Sequence, residues 1–401
     1  MTNVPEIRFK GFTDAWEQCR LGDVAEITSG GTPSREISDY WNGEIPWSTT
    51  AEVNYSLIEH TAENITKAGL DNSSAKIMPI GTILMAMYGQ GKTRGQVAVL
   101  GIEAATNQAN ANIVVNDGVN NCFIYHQLVK NYLTTRASAN EGGQANLSLG
   151  IVKDLHISFT KDSTEQTIIG TFFHTLDNTI AIYKRKFDGL KQLKSAYLQQ
   201  MFPQAGEVVP KVRFDGFTEP WELRGADEIF CTVSDKGHIH LPVLSASQEH
   251  GMVLRNEIGI DIKFDSTNTT TYKRVLPGQF VIHLRSFQGG LAYSKIEGIT
   301  SPAYTILDFI DKGKQVPEFW IDVLRSEKFI KMLESVTYGI RDGRSISFND
   351  FSILKLHYPS HDEQAAIGQF FSSLDCNINE MQSKINSLAK LKSSFLQKMF
   401  V

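Results

Sequence analysis

A chain of 401 residues is too long for one ordinary core, so two or more domains are expected. Hydrophobic residues make up 41% and charged residues 21%, the make-up of a globular protein, and no apolar run reaches the roughly 18 residues that a membrane span needs. The net charge of −5 weighs against nucleic-acid binding as a bulk property, but phosphate contacts depend on local lysines and arginines.

Four scattered cysteines (Cys19, Cys122, Cys231, Cys376) form no CxxC pair, so neither a disulfide framework nor a zinc site is expected. Met1 to Arg8 has no apolar core of the signal-peptide kind, and the expected location is the cytoplasm.

The chain opens on Val4-Pro5-Glu6-Ile7-Arg8-Phe9-Lys10-Gly11-Phe12-Thr13, then Trp16-Glu17. Thr28 to Arg35 follows as a turn-rich loop, Thr-Ser-Gly-Gly-Thr-Pro-Ser-Arg. Ile80 to Met87, Gln96 to Ile102 and Ala109 to Val115 are strand candidates. Between the first two lies Ala86-Met87-Tyr88-Gly89-Gln90-Gly91-Lys92-Thr93, a relaxed phosphate-loop pattern. A phosphate loop must open a helix, and Arg94 to Val99 reads as strand, which argues against an NTPase. The same loop suits DNA better. Tyr88, Gln90, Lys92, Thr93, Arg94 and Gln96 crowd a glycine-rich turn, and these residue types read base edges or hold phosphates. Asn107, Gln108, Asn110 and Asn112 form a second polar set, and Gln144 and Asn146 sit in a third glycine-rich loop. Phe123 to Thr135 reads as helix.

Next comes a long amphipathic helix. Ile169, Phe173, Leu176, Ile180, Tyr183, Phe187, Leu190, Lys194, Tyr197 and Met201 repeat every 3.5 residues on average, the period of a coiled-coil seam. Ser163 with Gln166 makes a capping box, and Pro203 stops the helix.

The second half repeats the first. Val209 to Thr218 and Trp221-Glu222 echo the opening block 205 positions on. Glu363-Gln364, Phe370-Phe371, Leu374-Asp375, Leu391-Lys392-Ser393 and Met399-Phe400 echo Glu165-Gln166, Phe172-Phe173, Leu176-Asp177, Leu193-Lys194-Ser195 and Met201-Phe202 at an offset of 198. Gly278 to Leu284, Leu291 to Ile296 and Tyr304 to Asp308 read as strands, and Glu318 to Val336 as helix. Arg285, Ser286 and Gln288 stand where the first copy has its glycine-rich turn, and Arg341 and Arg344 lie in the loop before the last helix. The second seam runs through Ile367, Phe371, Leu374, Ile378, Met381, Ile385, Leu388, Lys392, Phe395 and Met399, with Ser360 and Glu363 as its capping box. His238 and His240 fall on an expected strand, and no Ser-Gly-Gly-Thr-Pro-Ser counterpart stands near Cys231 to Gly237.

Each long helix spans about 38 residues, roughly 57 Å, and cannot bury its stripe alone. Antiparallel pairing of the two matching stripes follows, with Leu193 and Leu391 covering for Lys194 and Lys392 or the lysines snorkelling. Two modules would then be related by a pseudo-two-fold axis, with Met1 and Val401 close together. The expected fold class is α+β: β-rich, mixed α/β recognition domains, duplicated and separated by a long antiparallel two-helix coiled coil. The expected boundaries are 1–160 and 204–360 for the recognition domains, and 161–203 and 361–401 for the helices. No HExxH, GxSxG or helix-opening GxGxxG is present, so no catalytic or metal-ligating residue is expected.

Pro-x-x-Arg-Phe-x-Gly-Phe-Thr-x-x-Trp (twice), Ser29 to Ser34, and Glu-Gln-x-x-Ile-Gly-x-Phe-Phe before a heptad helix together resemble the specificity subunit of Type I restriction-modification enzymes over essentially the whole chain. The resemblance implies that two target-recognition domains each read half of a split site in double-stranded DNA. The paired helices would fix the gap and bind two methyltransferase subunits. S-adenosylmethionine, ATP and magnesium would belong to those and to restriction-motor subunits, with no cofactor in this chain. A protein-binding scaffold and a specificity subunit of a methylation-only system are the alternatives.

Overall fold

The computed structural model describes residues 4–89, 92–139, 146–204, 206–247, 250–257, 266–283, 291–336 and 347–401. The chain divides into two units, Met1–Lys184 with Ser383–Val401, and Arg185–Gln382. Both are mixed α/β, and each takes half of both long helices.

In the first unit β1 (Glu17–Arg20), α1 (Leu21–Val24) and β2 (Ala25–Ser29) lead into β3 (Trp41–Ser48), β4 (Leu57–Ile58), β5 (Glu63–Ile65), α2 (Lys67–Asp71) and β6 (Ile77–Met78). Then come β7 (Ile83–Ala86), β8 (Val97–Leu100), β9 (Ala104–Thr106), β10 (Asn110–Val115), α3 (Asn121–Lys130), α4 (Tyr132–Ala137), α5 (Leu149–Lys153) and β11 (His156–Phe159). Among the described residues the strands form sheets ordered β2-β10-β7-β8-β4 and β5-β3-β9-β6, with β1 pairing β11. All four residues of β7 are buried, and so are three of β8. Strands covered on both faces read as continuous apolar runs, which is why the sequence located them without any alternation.

The second unit follows the same plan. It contains β12 (Glu222–Gly225), α7 (Ala226–Ile229), β13 (Phe230–Val233), β14 (Leu244–Ser247), β15 (Gly251–Leu254), β16 (Lys273–Val275), β17 (Phe280–Ile282), β18 (Ala292–Tyr293), β19 (Gly298–Thr300) and β20 (Thr305–Phe309). Helices α8 (Pro317–Arg325), α9 (Glu327–Val336) and α10 (Phe348–Ser352) precede β21 (Lys355–Tyr358). Its sheet order, β13-β20-β17-β18, matches β2-β10-β7-β8, and β12 pairs β21 as β1 pairs β11.

The expected helix over Phe123 to Thr135 breaks at Asn131 into α3 and α4, and α3 begins earlier, where the Asn120 side chain accepts from the Phe123 amide at 3.0 Å. Glu318 to Val336 likewise breaks at Ser326, whose hydroxyl accepts from the Phe329 amide and so starts α9.

The long helices are α6 (Ser163–Gln200), 38 residues, and α11 (His361–Met399), 39 residues. Asp162, not Ser163, caps α6, accepting from the Thr164 and Glu165 amides at 2.8 and 3.1 Å. Ser360 does cap α11, weakly, at 3.4 Å from the Glu363 amide. In neither helix does the expected box close, because its acidic or amide side chain is engaged elsewhere. Glu165 receives both branches of Arg8 at 2.6 and 2.9 Å and the Trp16 indole at 3.1 Å. Glu363 receives Arg213 at 2.7 Å twice. Gln166 accepts from the Asn120 amide at 2.8 Å and Gln364 from the Val316 amide at 3.0 Å, tying each long helix to the start of α3 or α8. A side chain on Gly170 would reach 2.4 Å from Asn120 Oδ1, so only glycine lets the two elements meet there. The repeated motifs are thus the clasp between arm, helix and domain.

Within each unit the long helices pair antiparallel. In the first, Phe172 meets Phe395 and Phe173 meets Phe400, at ring separations of 5.2 and 5.6 Å. In the second, Tyr197 meets Phe370 at 5.0 Å and Phe202 meets Phe371 at 6.0 Å. Ile169, Phe173 and Ile180 are buried on α6, and Ile367, Phe371 and Leu374 on α11, while Leu176, Leu190, Ile378 and Leu388 are half-buried. The stripe serves two purposes. Its N-terminal part packs into the unit's own core, with Trp16 and Phe123 in the first and Trp221 and Phe319 in the second.

Leu193 and Leu391 do not cover for the seam lysines; they are 43% and 44% exposed. Each lysine enters a partly buried ionic group instead. Lys392 contacts Asp177, which lies 2.9 Å from His126 Nε2. Lys194 donates to both Asp375 oxygens at 2.7 Å and lies 3.3 Å from Asp322. The heptad pattern is interrupted by ion pairs, which satisfy the ammonium where an apolar seam would strand it.

Candidate nucleic-acid interface

Strand register decides which loops share an edge. Ser29 stands opposite Ala111, Asn110 opposite Ala86, and Met85 opposite Val97. The end of β2, the start of β10, the end of β7 and the start of β8 therefore lie on one edge of the sheet. The loops leaving that edge are 30–40, 87–96 and 107–109, which carry most of the turn-rich loop and two of the polar sets singled out from sequence.

Short contacts hold these loops together. The Met87 amide donates to the Ala109 carbonyl at 2.8 Å, and the Leu147 amide to the Met87 carbonyl at 2.9 Å, bringing Asn146 alongside. Gly31 donates to the Thr106 carbonyl at 2.8 Å, and the Thr32 hydroxyl bonds the Gln108 side chain. The Ser29 to Arg35 loop is braced from below. The Trp47 indole donates to the Gly31 carbonyl at 2.9 Å, the Trp41 indole to the Ser34 carbonyl at 3.0 Å, and Arg35 stacks 3.7 Å over Trp41 while pairing with Glu63.

The 87–96 loop is the turn of a β7–β8 hairpin. Strand β8 follows Lys92-Thr93, not a helix, so no helix N-terminus is there to hold a phosphate in the NTPase manner. The Tyr132 hydroxyl donates to the Lys92 carbonyl at 2.6 Å, and Arg136 donates to the Tyr132 oxygen at 3.1 Å. Tyr55 stands edge-on to Tyr132 at 6.0 Å; burial, with Tyr132 beside it, pushes its phenol up to about 12, and its hydroxyl bonds Gln96. Sequence reasoning missed this bracket, since Tyr55, Tyr132 and Arg136 lie far from the loop in sequence.

Tyr88 and Lys92 are exposed, and Thr93, Arg94, Gln96 and Asn146 half-buried. Gln90, Gln144, Arg285, Ser286, Gln288, Arg341 and Arg344 lie outside the described residues. Gln108 is exposed, but Asn110 and Asn112 are fully buried and cannot reach a base edge. Asn112 instead accepts from Thr106 Oγ1 at 2.9 Å beneath the loops. Among the described residues no cluster of three or more His, Cys, Asp or Glu could hold a metal ion. No helix there is long and apolar enough to cross a membrane, and all four cysteines are free thiols.

In the second unit Val233 pairs with Ile306, Ile282 with Thr305, and Val281 with Ala292, so the same edge recurs. Loop 234–241 leaves it where Ser29 to Arg35 leaves the first. The missing counterpart thus exists in the fold, under an unrelated sequence. His238 and His240 lie in this loop, not on a strand, and His238 Nε2 contacts Asp235 at 2.9 Å.

A family model described as Type I restriction modification DNA specificity domain matches residues 13–192. Residues 13–192 are therefore similar to that specificity domain. The chain is 28% identical over 192 residues to the Type I restriction enzyme MjaIX specificity subunit of Methanocaldococcus jannaschii, a match covering 47% of this chain and 44% of that protein. It is 25% identical over 199 residues to the EcoR124I/EcoR124II specificity subunit of Escherichia coli, covering 47% and 49%. The matches span about half the length of these curated relatives. A crystal structure of the Type-I restriction-modification S subunit from M. genitalium superposes over 99% of both chains with a TM-score of 0.67 at 15% identity. A chain from a structure on complex assembly and conformational transition of the type I R-M system gives 0.53 over 96% of this chain and 97% of that one, also at 15% identity. At that identity the likeness concerns the fold. The specificity-domain match ends within α6, so the kinship of the second unit rests on the internal repeat and its shared strand order.

Proposed function

We propose that this chain is the DNA sequence-specificity subunit of a type I restriction-modification enzyme, supplying address and no chemistry. The observation that carries this is the convergence of separate polar loops on one sheet edge in the first unit, an edge whose strand order and register recur in the second under an unlike sequence. Unlike surfaces on like scaffolds suit two readers of different half-sites, so the target is bipartite and asymmetric. Residues 1–160 and 204–360 are the readers. Helices 161–203 and 361–401, pairing antiparallel through matched seams, relate them by a pseudo-two-fold axis and set the gap. Readers so related sit about one DNA turn apart, roughly 34–36 Å.

Tyr88, Gln90, Lys92, Thr93, Arg94, Gln96, Gln144 and Asn146 face one half-site, and Arg285, Ser286, Gln288, Arg341 and Arg344 the other. Two methyltransferase subunits bind the helices and use S-adenosylmethionine to methylate adenine. Restriction-motor subunits use ATP and magnesium. The test is methylome sequencing of cells with this chain and its cognate methyltransferase, against cells lacking only this chain. A bipartite adenine-methylation motif that appears only with the chain is expected. An active methyltransferase whose motif ignores the chain overturns the proposal.

A further inference from the structure

The loop at the recognition edge of the second unit carries a like-charge pair that no carboxylate among the described residues neutralises. Lys236, in loop 234–241, forms an antiparallel bridge with Lys273, the first residue of β16. Like charges directly opposite across such a bridge are destabilising. Lys273 feels this: burial and the Lys236 charge both hold its ammonium below the usual lysine range.

The neighbouring carboxylates are committed elsewhere. Asp235 contacts His238 at 2.9 Å and Arg274 at 3.4 Å, and Glu297 contacts Arg274 at 2.6 Å. Lys273 donates to the Tyr304 carbonyl at 2.7 Å, an uncharged acceptor that fixes its direction without cancelling its charge. Lys236 is exposed and has no ion-pair partner among the described residues. Tyr304 immediately precedes β20, so the pair stands on the edge formed by the end of β13, the start of β20 and the end of β17.

The first unit makes the same join differently. There Gly31 packs on Ser74 and Ala75, and a side chain at Gly31 would come within 2.4 Å of the Ala75 nitrogen. At the corresponding join the second unit has a bridge between two lysines.

We infer that Lys236 and Lys273 form a phosphate clamp that seats the second unit on the DNA backbone, positioning its loops without reading a base. This rests on the DNA-specificity reading above. A phosphate between the two ammonium groups relieves their repulsion, so the strain in the free chain becomes affinity in the complex. Two lysines on one backbone site fit a point-charge contact, which carries no sequence information.

The test uses the full chain assembled with its cognate methyltransferase and a 30-base-pair duplex, with and without the methylation motif. Lys236→Gln should weaken binding to both duplexes alike. It should also lower the slope of log affinity against log salt by about 0.9, the release from one phosphate, equal to roughly threefold less loss between 50 and 200 mM salt. The same substitution should raise the melting temperature of the free chain, because the repulsion is gone. Lys273→Gln, which also loses the Tyr304 bond, should show the same salt slope. An unchanged slope overturns the clamp, and so does a loss confined to the motif duplex, which would mean base reading. If the wild-type complex ignores the motif altogether, the specificity reading fails instead.

Discussion

Arg8 and Arg213 show at the residue scale what the repeated motifs are for. Glu165 and Glu363 are almost completely buried, and each is neutralised by one arginine from a distant arm. Breaking a buried pair from one side costs about 3–5 kcal/mol, because a charge is left without a partner. Arg8→Ala should therefore destabilise the first unit by about that much in urea unfolding. Arg8→Lys should restore only part, since a lysine cannot make the two-branched contact. Asp322 behaves differently. Burial pushes its carboxyl up to about 6 from an ordinary 3.8, with Lys194 opposing. The folded state then holds the proton more tightly than the unfolded one, so this group's contribution is greatest below about pH 4 and is lost as pH rises through 6. The swing is at most about 3 kcal/mol. Urea unfolding across that range should show stability falling with pH, and Asp322→Asn should flatten the fall. The equivalent place in the first unit holds His126, which burial keeps below the usual imidazole range although Asp177 pulls it upward. The sequence marked Asp177 and Asp375, and Lys194 and Lys392, as repeated, but nothing local said that they meet or that Asp322 and His126 join them.

At the element scale, the 87–96 hairpin loop depends on α4. Removing the Tyr132 hydroxyl frees the Lys92 carbonyl and loosens the bracket under Lys92 and Gln96. Tyr132→Phe should cost about 1 kcal/mol of stability and should weaken binding to duplexes carrying the first half-site. A variant that unfolds earlier but binds DNA unchanged would show that the bracket serves the fold only. Arg94→Ala should cost about 1–3 kcal/mol in binding if Arg94 reads a base; an equal loss on every sequence would make it a phosphate contact. Most elements were legible, for a physical reason. Strands β7, β8, β10, β17 and β20 are short buried runs, and the long helices repeat their apolar face over many turns, so local pattern carries their signal. The breaks at Asn131 and Ser326, and the cap by Asp162, were not legible. Each turns on one side chain choosing between local and distant partners.

For the whole molecule, the reading predicts separable halves. Replacing residues 88–96 with the corresponding loop of a relative should change the bases in one half of the methylation motif and leave the other half and the spacing alone. Methylome sequencing of the chimera checks this, and a change in both halves would refute independent reading. The sequence by itself determined the duplication, the heptad seams and the glycine-rich polar loops, because repeats and periodicity are properties of neighbours along the chain. Tertiary structure alone decided the rest. Strand register put loops 30–40, 87–96 and 107–109 on one edge and buried Asn110 and Asn112 beneath it. It also placed loop 234–241 where no sequence match pointed, and enclosed Lys194 and Lys392 in ionic groups assembled from three separate elements. Such encounters join residues far apart along the chain, from 51 positions for His126 and Asp177 to 215 for Asp177 and Lys392, and only the packed fold sets the distance between them.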